Sequence, residues 1–395
     1  MSTAFRKLPS TALRQPQDFT ISVPHERIIQ LHSLLQASTI GPATYESSRE
    51  SREFGITTAW LEDAREKWIN FDWSKVEDEL NTFPQYKMSI HDKGTDFDIH
   101  FLALFSEKPN AIPLILLHGW PGSFLEFTKV LDILRTKYTP EALPYHVIVP
   151  SWPGYAFSSA PPTDENFQCE DVARIFNELM IQLGFSSGYV AQGGDLGSRV
   201  ARILAVKYPE AKAAHLNYCS MVDPGNIDEA RYSATEKAAL QGVREFREKG
   251  GGYSLMHATR PSTIGLALAT SPLALLSWVG EKFLAWTDDD PPLDEILTSV
   301  SLYWLTRCFA TTIYPYRERF ASKVTAGSPE YYIHRPMGYS WFPKDMGSVP
   351  RAWIETTGNL AFFREHDRGG HFAALEQPRL FLEDVEDFIA GLHLA

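Results

Sequence analysis

Apolar positions recur at helical spacing through the first part of the chain. Ile28, Ile29, Leu31, Leu34 and Leu35 follow Val23-Pro24-His25-Glu26, and Leu61, Trp68 and Ile69 follow Thr57-Thr58-Ala59-Trp60, so residues 1–85 read as a helical meander packed on a core. The period then changes to two. Phe97, Ile99, Phe101 and Ala103 alternate with other residues, as in a strand. Ile112-Pro113-Leu114-Ile115-Leu116-Leu117 is a continuous apolar run of the buried-strand type. After it come a helical pattern over 126–134, a strand at His146-Val147-Ile148-Val149-Pro150, a helix over 171–183, a strand at Tyr189-Val190-Ala191 and a helix from Ser198. Alternation of this kind predicts an α/β protein with a mostly parallel sheet flanked by helices. From about Asp223 to His334 the β runs thin out, and helical segments are expected over 229–249, 262–268, 272–286 and 293–308. We read this stretch as a helical insertion. Strand patterns return at Tyr339-Ser340-Trp341-Phe342 and Leu360-Ala361-Phe362-Phe363, and a closing helix is expected over 378–392. The expected units are therefore 1–85, a first core segment 86–222, the insertion 223–334 and a second core segment 335–395.

Composition narrows the setting. With 395 residues, 44% of them hydrophobic, the chain can bury a substantial core. A net charge of −12 argues against nucleic acid or an anionic membrane surface as partner. Cys169, Cys219 and Cys308 are widely spaced and form no CxxC, which favours a reducing compartment. The first residues are polar and basic, with no signal-like apolar stretch, and no run approaches the ~20 apolar residues of a membrane span. The expectation is a soluble, cytoplasmic protein without a membrane anchor.

The chemistry centres on Gly193-Gly194-Asp195-Leu196-Gly197, set between a strand-like and a helix-like run. This is the context of a nucleophile elbow, in which a tight turn pushes one side chain into a cleft. The glycines two before and two after Asp195 let the arms of the turn approach. The apex is a carboxylate, able to attack an activated carbon and form an ester. His118-Gly119-Trp120-Pro121-Gly122 ends a buried strand, so the Trp120 N–H and the Leu196 N–H are candidates for an oxyanion hole. His118 itself reads as a brace for that loop. His371, in Gly369-Gly370-His371-Phe372 after the last strand pattern, fits the base of a triad in the order nucleophile, acid, base. Asp345, just past Tyr339–Phe342, is the favoured acid, with Glu365 and Asp367 as alternatives at the strand end that carries the base. Gly184-Phe185-Ser186-Ser187-Gly188 matches a serine elbow as a string but lies between a helix and a strand, the wrong order. The residues alone thus indicate an Asp–His–acid hydrolase under a helical lid, with no metal or organic cofactor required.

Taken together, His118-Gly119-Trp120-Pro121-Gly122-Ser123, Gly193-Gly194-Asp195-Leu196-Gly197 and Gly369-Gly370-His371-Phe372-Ala373 resemble the microsomal-type epoxide hydrolases of the α/β-hydrolase superfamily, and most of all its soluble fungal members. The stretches from Phe71-Asp72-Trp73 to Ile99-His100-Phe101 and from Thr259-Arg260-Pro261 to Glu281-Lys282-Phe283 extend the likeness over most of the chain. The resemblance implies an α/β-hydrolase fold with a helical cap and a small-molecule epoxide as substrate. It also implies two cap tyrosines that donate to the epoxide oxygen. Tyr253 matches the first; Tyr316 is the better match for the second, with Tyr314 as rival. A homodimer follows from the resemblance alone. Two other functions compete: a haloalkane dehalogenase, which commonly has Trp where Leu196 stands, and a non-catalytic ligand receptor on the same fold.

Overall fold

The run Ile112–Leu117 forms the centre of the sheet because it has no polar face to present. In the computed structural model, which describes residues 4–318 and 326–392, its last four residues are buried. The strands are β1 (Gln17–Asp18), β2 (Gln85–Asp92), β3 (Thr95–Leu104), β4 (Ile112–Leu117), β5 (Tyr145–Pro150), β6 (Tyr189–Gly193), β7 (Ala211–Leu216), β8 (Ile333–Trp341) and β9 (Gly358–Glu365). Among the described residues they form one sheet in the order β1-β2-β3-β5-β4-β6-β7-β8-β9. From β5 to β9 every pairing is parallel, while β1, β2 and β3 pair antiparallel. The order reverses at β4, which has β5 on one side and β6 on the other. Open α/β sheets bind ligands at such a switch point, beyond the carboxyl ends of the strands.

Helices cover the sheet. They include α1 (His25–Ala37), α2 (Thr58–Ile69), α3 (Trp73–Leu80), α4 (Thr128–Lys137), α5 (Cys169–Gln182) and α6 (Asp195–Lys207), and the chain closes with Pro378–Ala390. The α5 and α6 helices pack on each other, as α4 and the closing helix do. With both faces covered, all six residues of β5 are buried.

Three strands escape the sequence reading, the short β1 inside the stretch read as helical among them. In β2, Tyr86, Met88 and Ile90 alternate, and the strand pairs with β3 through a two-residue turn at Lys93 and Gly94. Both turn residues have positive φ, 47° and 86°, as a tight hairpin twisted to match its strands requires. In β7, Ala211-Lys212-Ala213-Ala214 has little intrinsic strand preference. It becomes a strand because β6 and β8 flank it.

The insertion folds as α7 (Ala234–Glu245), α8 (Gly252–Thr259), α9 (Pro261–Leu268), α10 (Pro272–Trp286) and α11 (Leu293–Thr306). The segment expected over 229–249 is not one helix. Ser233 Oγ accepts from the Glu236 N–H at 3.0 Å while the Glu236 carboxylate accepts from the Ser233 N–H at 2.7 Å, a reciprocal cap that starts α7 afresh. The α8 helix lies between the segments expected over 229–249 and 262–268 and belongs to neither; it starts among glycines, which have low helix propensity. A π turn over Phe246–Gly250 carries the chain into it. At the other end, β8 begins at Ile333, so the strand starts just inside the stretch assigned to the insertion.

The N-terminal meander reaches the insertion as well as the core. The α1 helix touches α10 and α11, and α2 touches α11. Trp68 Nε1 donates to Ser301 Oγ at 2.7 Å, and Arg27 Nη1 to the Leu305 carbonyl at 2.9 Å. Cys169, Cys219 and Cys308 are buried and unbridged. Among the described residues no single helix is long and apolar enough to cross a membrane; the α9–α10 pair that would qualify together is bent by 117°.

Candidate active site

Parallel register brings the first two motifs together. Leu117, at the end of β4, lies opposite Gly193, at the end of β6, so the Gly119-Trp120 loop and the Asp195 turn leave the sheet side by side. Asp195 opens α6 with φ 42°, a left-handed conformation that few non-glycine residues adopt. The motif glycines are there because nothing larger fits. A Cβ on Gly193 would lie 2.2 Å from the Gly197 carbonyl oxygen, one on Gly197 2.1 Å from that of Leu117, and one on Gly119 2.1 Å from Asp195 Oδ1.

The two carboxylate oxygens of Asp195 are differently placed. Oδ1 accepts from the Trp120 N–H at 2.7 Å. Oδ2 faces His371 Nε2 at 3.5 Å. Leu196 follows in the first turn of α6, where backbone N–H groups have no helical acceptor. On the far side of the imidazole, His371 Nδ1 is 2.9 Å from Asp345 Oδ1, with both side chains at most 2% exposed. The alternatives Glu365 and Asp367 are exposed. Adjacent strands again explain the meeting: Trp341 pairs with Glu365, so the loops after β8 and β9 emerge together and deliver Asp345 and His371. The loop of His371 is also tied to the insertion, its N–H donating to the Trp286 carbonyl at 2.8 Å. A Cβ on Gly370 would lie 2.6 Å from that same oxygen.

Electrostatics set the protonation of the imidazole. Burial lowers the pKa of His371, but the Asp345 carboxylate, together with Asp195, outweighs it and holds the ring well above its ordinary value. The free site therefore holds an imidazolium between two carboxylates.

His118 serves as the brace expected of it. It is fully buried, its Nδ1 lies 3.1 Å from the Gly119 carbonyl, and it packs on Trp152 and Tyr155. Burial drives its pKa down to about 4, so the ring is neutral and Nδ1–H donates. Ser186 lies in an exposed turn.

The structure adds a group that sequence reasoning missed. A cavity of about 10 Å³ at the triad is lined by Gly119, Trp120, Glu126, Asp195, Asn217 and His371, among others, space for about one water centre. Glu126 fills the place a side chain at Gly122 would take, with Oε1 1.4 Å from that hypothetical Cβ. Burial pushes its carboxyl up to about 8; the charge on His371 opposes the shift and that on Asp195 adds to it. Its position could be foreseen only by knowing that residues Phe124–Phe127 form a 3₁₀ turn rather than the start of an α-helix.

The tyrosines meet at the same place from the insertion. Tyr253, on α8, stacks on the Trp120 indole with centroids 5.4 Å apart and planes 13° apart. Tyr316, in the turn Tyr314–Arg317, meets the Trp120 ring edge-on at 5.7 Å and the Tyr253 ring at 5.8 Å. Burial, then the charges of Tyr253 and Asp195, raises the Tyr316 phenol well above its ordinary pKa, so it keeps its proton. The rival Tyr314 points elsewhere: it is buried against Phe167 at 5.4 Å.

Comparison with known proteins places the chain in a family. Residues 16–127 match the family described as epoxide hydrolase N terminus, and residues 112–231 that described as alpha/beta hydrolase fold. The chain is 31% identical to epoxide hydrolase 1 of Sus scrofa, over 95% of this chain and 88% of that protein. The structure of Aspergillus niger epoxide hydrolase superimposes with a TM-score of 0.94 at 49% identity, covering 98% of this chain and 99% of that one. Juvenile hormone epoxide hydrolase from the silkworm Bombyx mori superimposes with a TM-score of 0.84 at 25% identity, covering 95% and 94%. The chain belongs to the epoxide hydrolase family and is an enzyme of the α/β-hydrolase fold.

Proposed function

We propose that the enzyme opens a small-molecule epoxide to a vicinal diol through an ester on Asp195, beneath a lid formed by the insertion over 223–334. The observation that carries this reading is the split environment of the Asp195 carboxylate, with Oδ1 on the Trp120 N–H at 2.7 Å and Oδ2 free of a short hydrogen bond. Oδ2 attacks a ring carbon. The carbon–oxygen bond of the epoxide breaks, and its electron pair goes to the oxygen, which takes the Tyr253 proton while the Tyr316 O–H donates a hydrogen bond to it. An alkoxide is a poor leaving group, so donors at this point lower the barrier. Oδ1 becomes the ester carbonyl oxygen, already lying on the donor that will hold it as an oxyanion.

Esterification also changes the charges. Asp195 helps to raise the pKa of both His371 and Glu126. Neutralising it lowers the His371 pKa, so the imidazolium gives up its proton and becomes a base; with the ring's charge gone, the larger influence that had favoured ionisation of Glu126 is lost and that carboxyl stays protonated. A water in the small cavity can then donate one hydrogen bond to His371 Nε2 and one to the carbonyl oxygen of the Glu126 carboxyl, passing the first proton to the imidazole as it attacks. Its oxygen attacks the ester carbonyl carbon, Trp120 and Leu196 N–H groups hold the oxyanion, and the bond between the Asp195 carboxyl carbon and the ester oxygen breaks as the leaving alkoxide takes the proton of the added hydroxyl, giving the diol and the Asp195 carboxylate. Asp345 fixes the imidazole and balances its charge. The tyrosine recovers its proton through solvent as His371 is discharged.

Oxygen labelling tests the route. One turnover of unlabelled enzyme in heavy-oxygen water should give a diol carrying oxygen from Asp195. A first-turnover diol labelled from solvent would sink the covalent path.

Glu126→Leu, which cannot accept the hydrogen of the water, should slow ester hydrolysis about tenfold with alkylation unchanged, and Glu126→Gln, which keeps a carbonyl acceptor, should slow it less. Because its folded-state pKa is raised, the wild type loses stability as pH rises from the unfolded value near 4.5 through about 8. Gln cannot ionise, so its melting temperature relative to wild type should be higher at pH 8 than at pH 5. Thermal unfolding at the two pH values measures this.

A further inference from the structure

Lys282 is an unusual residue to find in the interior of the insertion. It lies on α10 and is only 4% exposed. Lysine stems often cover apolar surface while the ammonium reaches water. Here the ammonium is held inside. Lys282 Nζ lies 4.8 Å from the centroid of the Tyr253 ring, 5.5 Å from Trp278 and 5.8 Å from Trp286. It donates to Glu281 Oε2 at 2.5 Å, and that carboxylate is itself partly exposed. Burial lowers its pKa and Glu281 works against the change. Besides Tyr253, a facing titratable group that feels the Lys282 charge is His257 on α8, which burial and that charge push down to about 3, leaving a neutral ring.

Burying an ammonium costs free energy, and Glu281 offsets only part of the cost because water reaches it. Placing the charge over this particular ring has a chemical consequence. When a phenol gives its proton to a developing alkoxide, the negative charge left behind spreads into the ring. A cation over the ring then attracts it more strongly than it attracts the neutral phenol. That is stabilisation realised in the transition state and not in the ground state.

We propose that Lys282 is a positioning residue for epoxide opening, acting through the Tyr253 ring to favour proton donation to the epoxide oxygen. This rests on the covalent reading above. Asp195 Oδ2 forms the bond to carbon, the ring carbon–oxygen bond breaks, and the Tyr253 proton moves to the oxygen. Lys282 neither gives nor takes a proton. It stabilises the tyrosinate until the phenol is reprotonated as His371 is discharged.

Single-turnover alkylation by styrene oxide tests the idea, with ester hydrolysis followed separately. Lys282→Met keeps the apolar stem and should slow alkylation about tenfold, with hydrolysis of the ester unchanged. Lys282→Arg should restore most of the rate. In a Tyr253→Phe background Lys282→Met should have almost no further effect, since the group through which it acts is gone. An electron-poor styrene oxide, whose alkoxide needs less help, should be slowed less. If Lys282→Met melts early, Lys282→Gln carries the same expectation.

Unchanged alkylation, or an equal loss with and without the Tyr253 hydroxyl, would overturn the proposal. The mass of His371→Gln protein after exposure to styrene oxide separates the two levels of failure. No adduct there would reject the ester itself. An adduct there, together with no interaction between Lys282 and Tyr253, would reject the role of Lys282 alone.

Discussion

Asp195→Ala is expected to abolish diol formation, with a loss on the order of 10⁴-fold or more. No other described carboxylate has an oxygen on the Trp120 N–H, and the left-handed turn that exposes this one, φ 42°, presents only this side chain. Asp195→Asn makes the sharper comparison. The amide keeps the size and an oxygen acceptor for the Trp120 N–H, yet it is not a nucleophile, so activity should fall as far as in the alanine variant. The Asn variant also removes a charge that helps to raise the His371 pKa. Titration of the imidazole by NMR should therefore show a lower pKa than in wild type. An Asn variant that turned over at a tenth of the wild-type rate would mean that water attacks the epoxide directly.

His371→Gln should behave in the opposite way, alkylating normally and then stalling. Glutamine has no basic nitrogen, so ester hydrolysis should fall on the order of 10³-fold while the first step, which needs only Asp195 and the phenols, proceeds. The protein should gain the mass of one epoxide per chain, and mass spectrometry of the peptide containing Asp195 locates the ester. The buried position of His371, 1% exposed beside Asp345 at 2.9 Å, gives a second expectation. The glutamine leaves Asp345 buried without its cationic partner, and this costs stability, so the melting temperature should fall. Loss of the alkylation step as well as of hydrolysis would place the base earlier in the reaction than proposed.

The strongest sequence signals were local ones. A run of six apolar residues ending in His118-Gly119-Trp120 has little choice but to be a central strand, and glycines on both sides of Asp195 leave that side chain at the apex of a turn. These features depend on residues within a few positions of each other, so the α/β order, the elbow, the insertion and the late histidine could all be read directly. Weak local preference hid the strand β7 and a helix. Ala211–Leu216 is a strand because its neighbours are strands, and α8 forms because the insertion packs around Tyr253, with Trp120 stacked on its ring at 5.4 Å.

Three matters belonged to the tertiary structure. The structural support for Asp345 over Glu365 and Asp367 is burial: it lies sealed against His371 while they face solvent. Tyr316 was chosen over Tyr314 by the direction of a short turn, which sends one ring to Trp120 and the other to Phe167. Glu126 and Lys282 had no sequence signal at all, because a carboxylate and an ammonium acquire chemical meaning only from what surrounds them. Chain order fixes which residues end strands. Whether two such ends meet, and which charges lose their water when they do, depends on register and packing between segments distant in sequence.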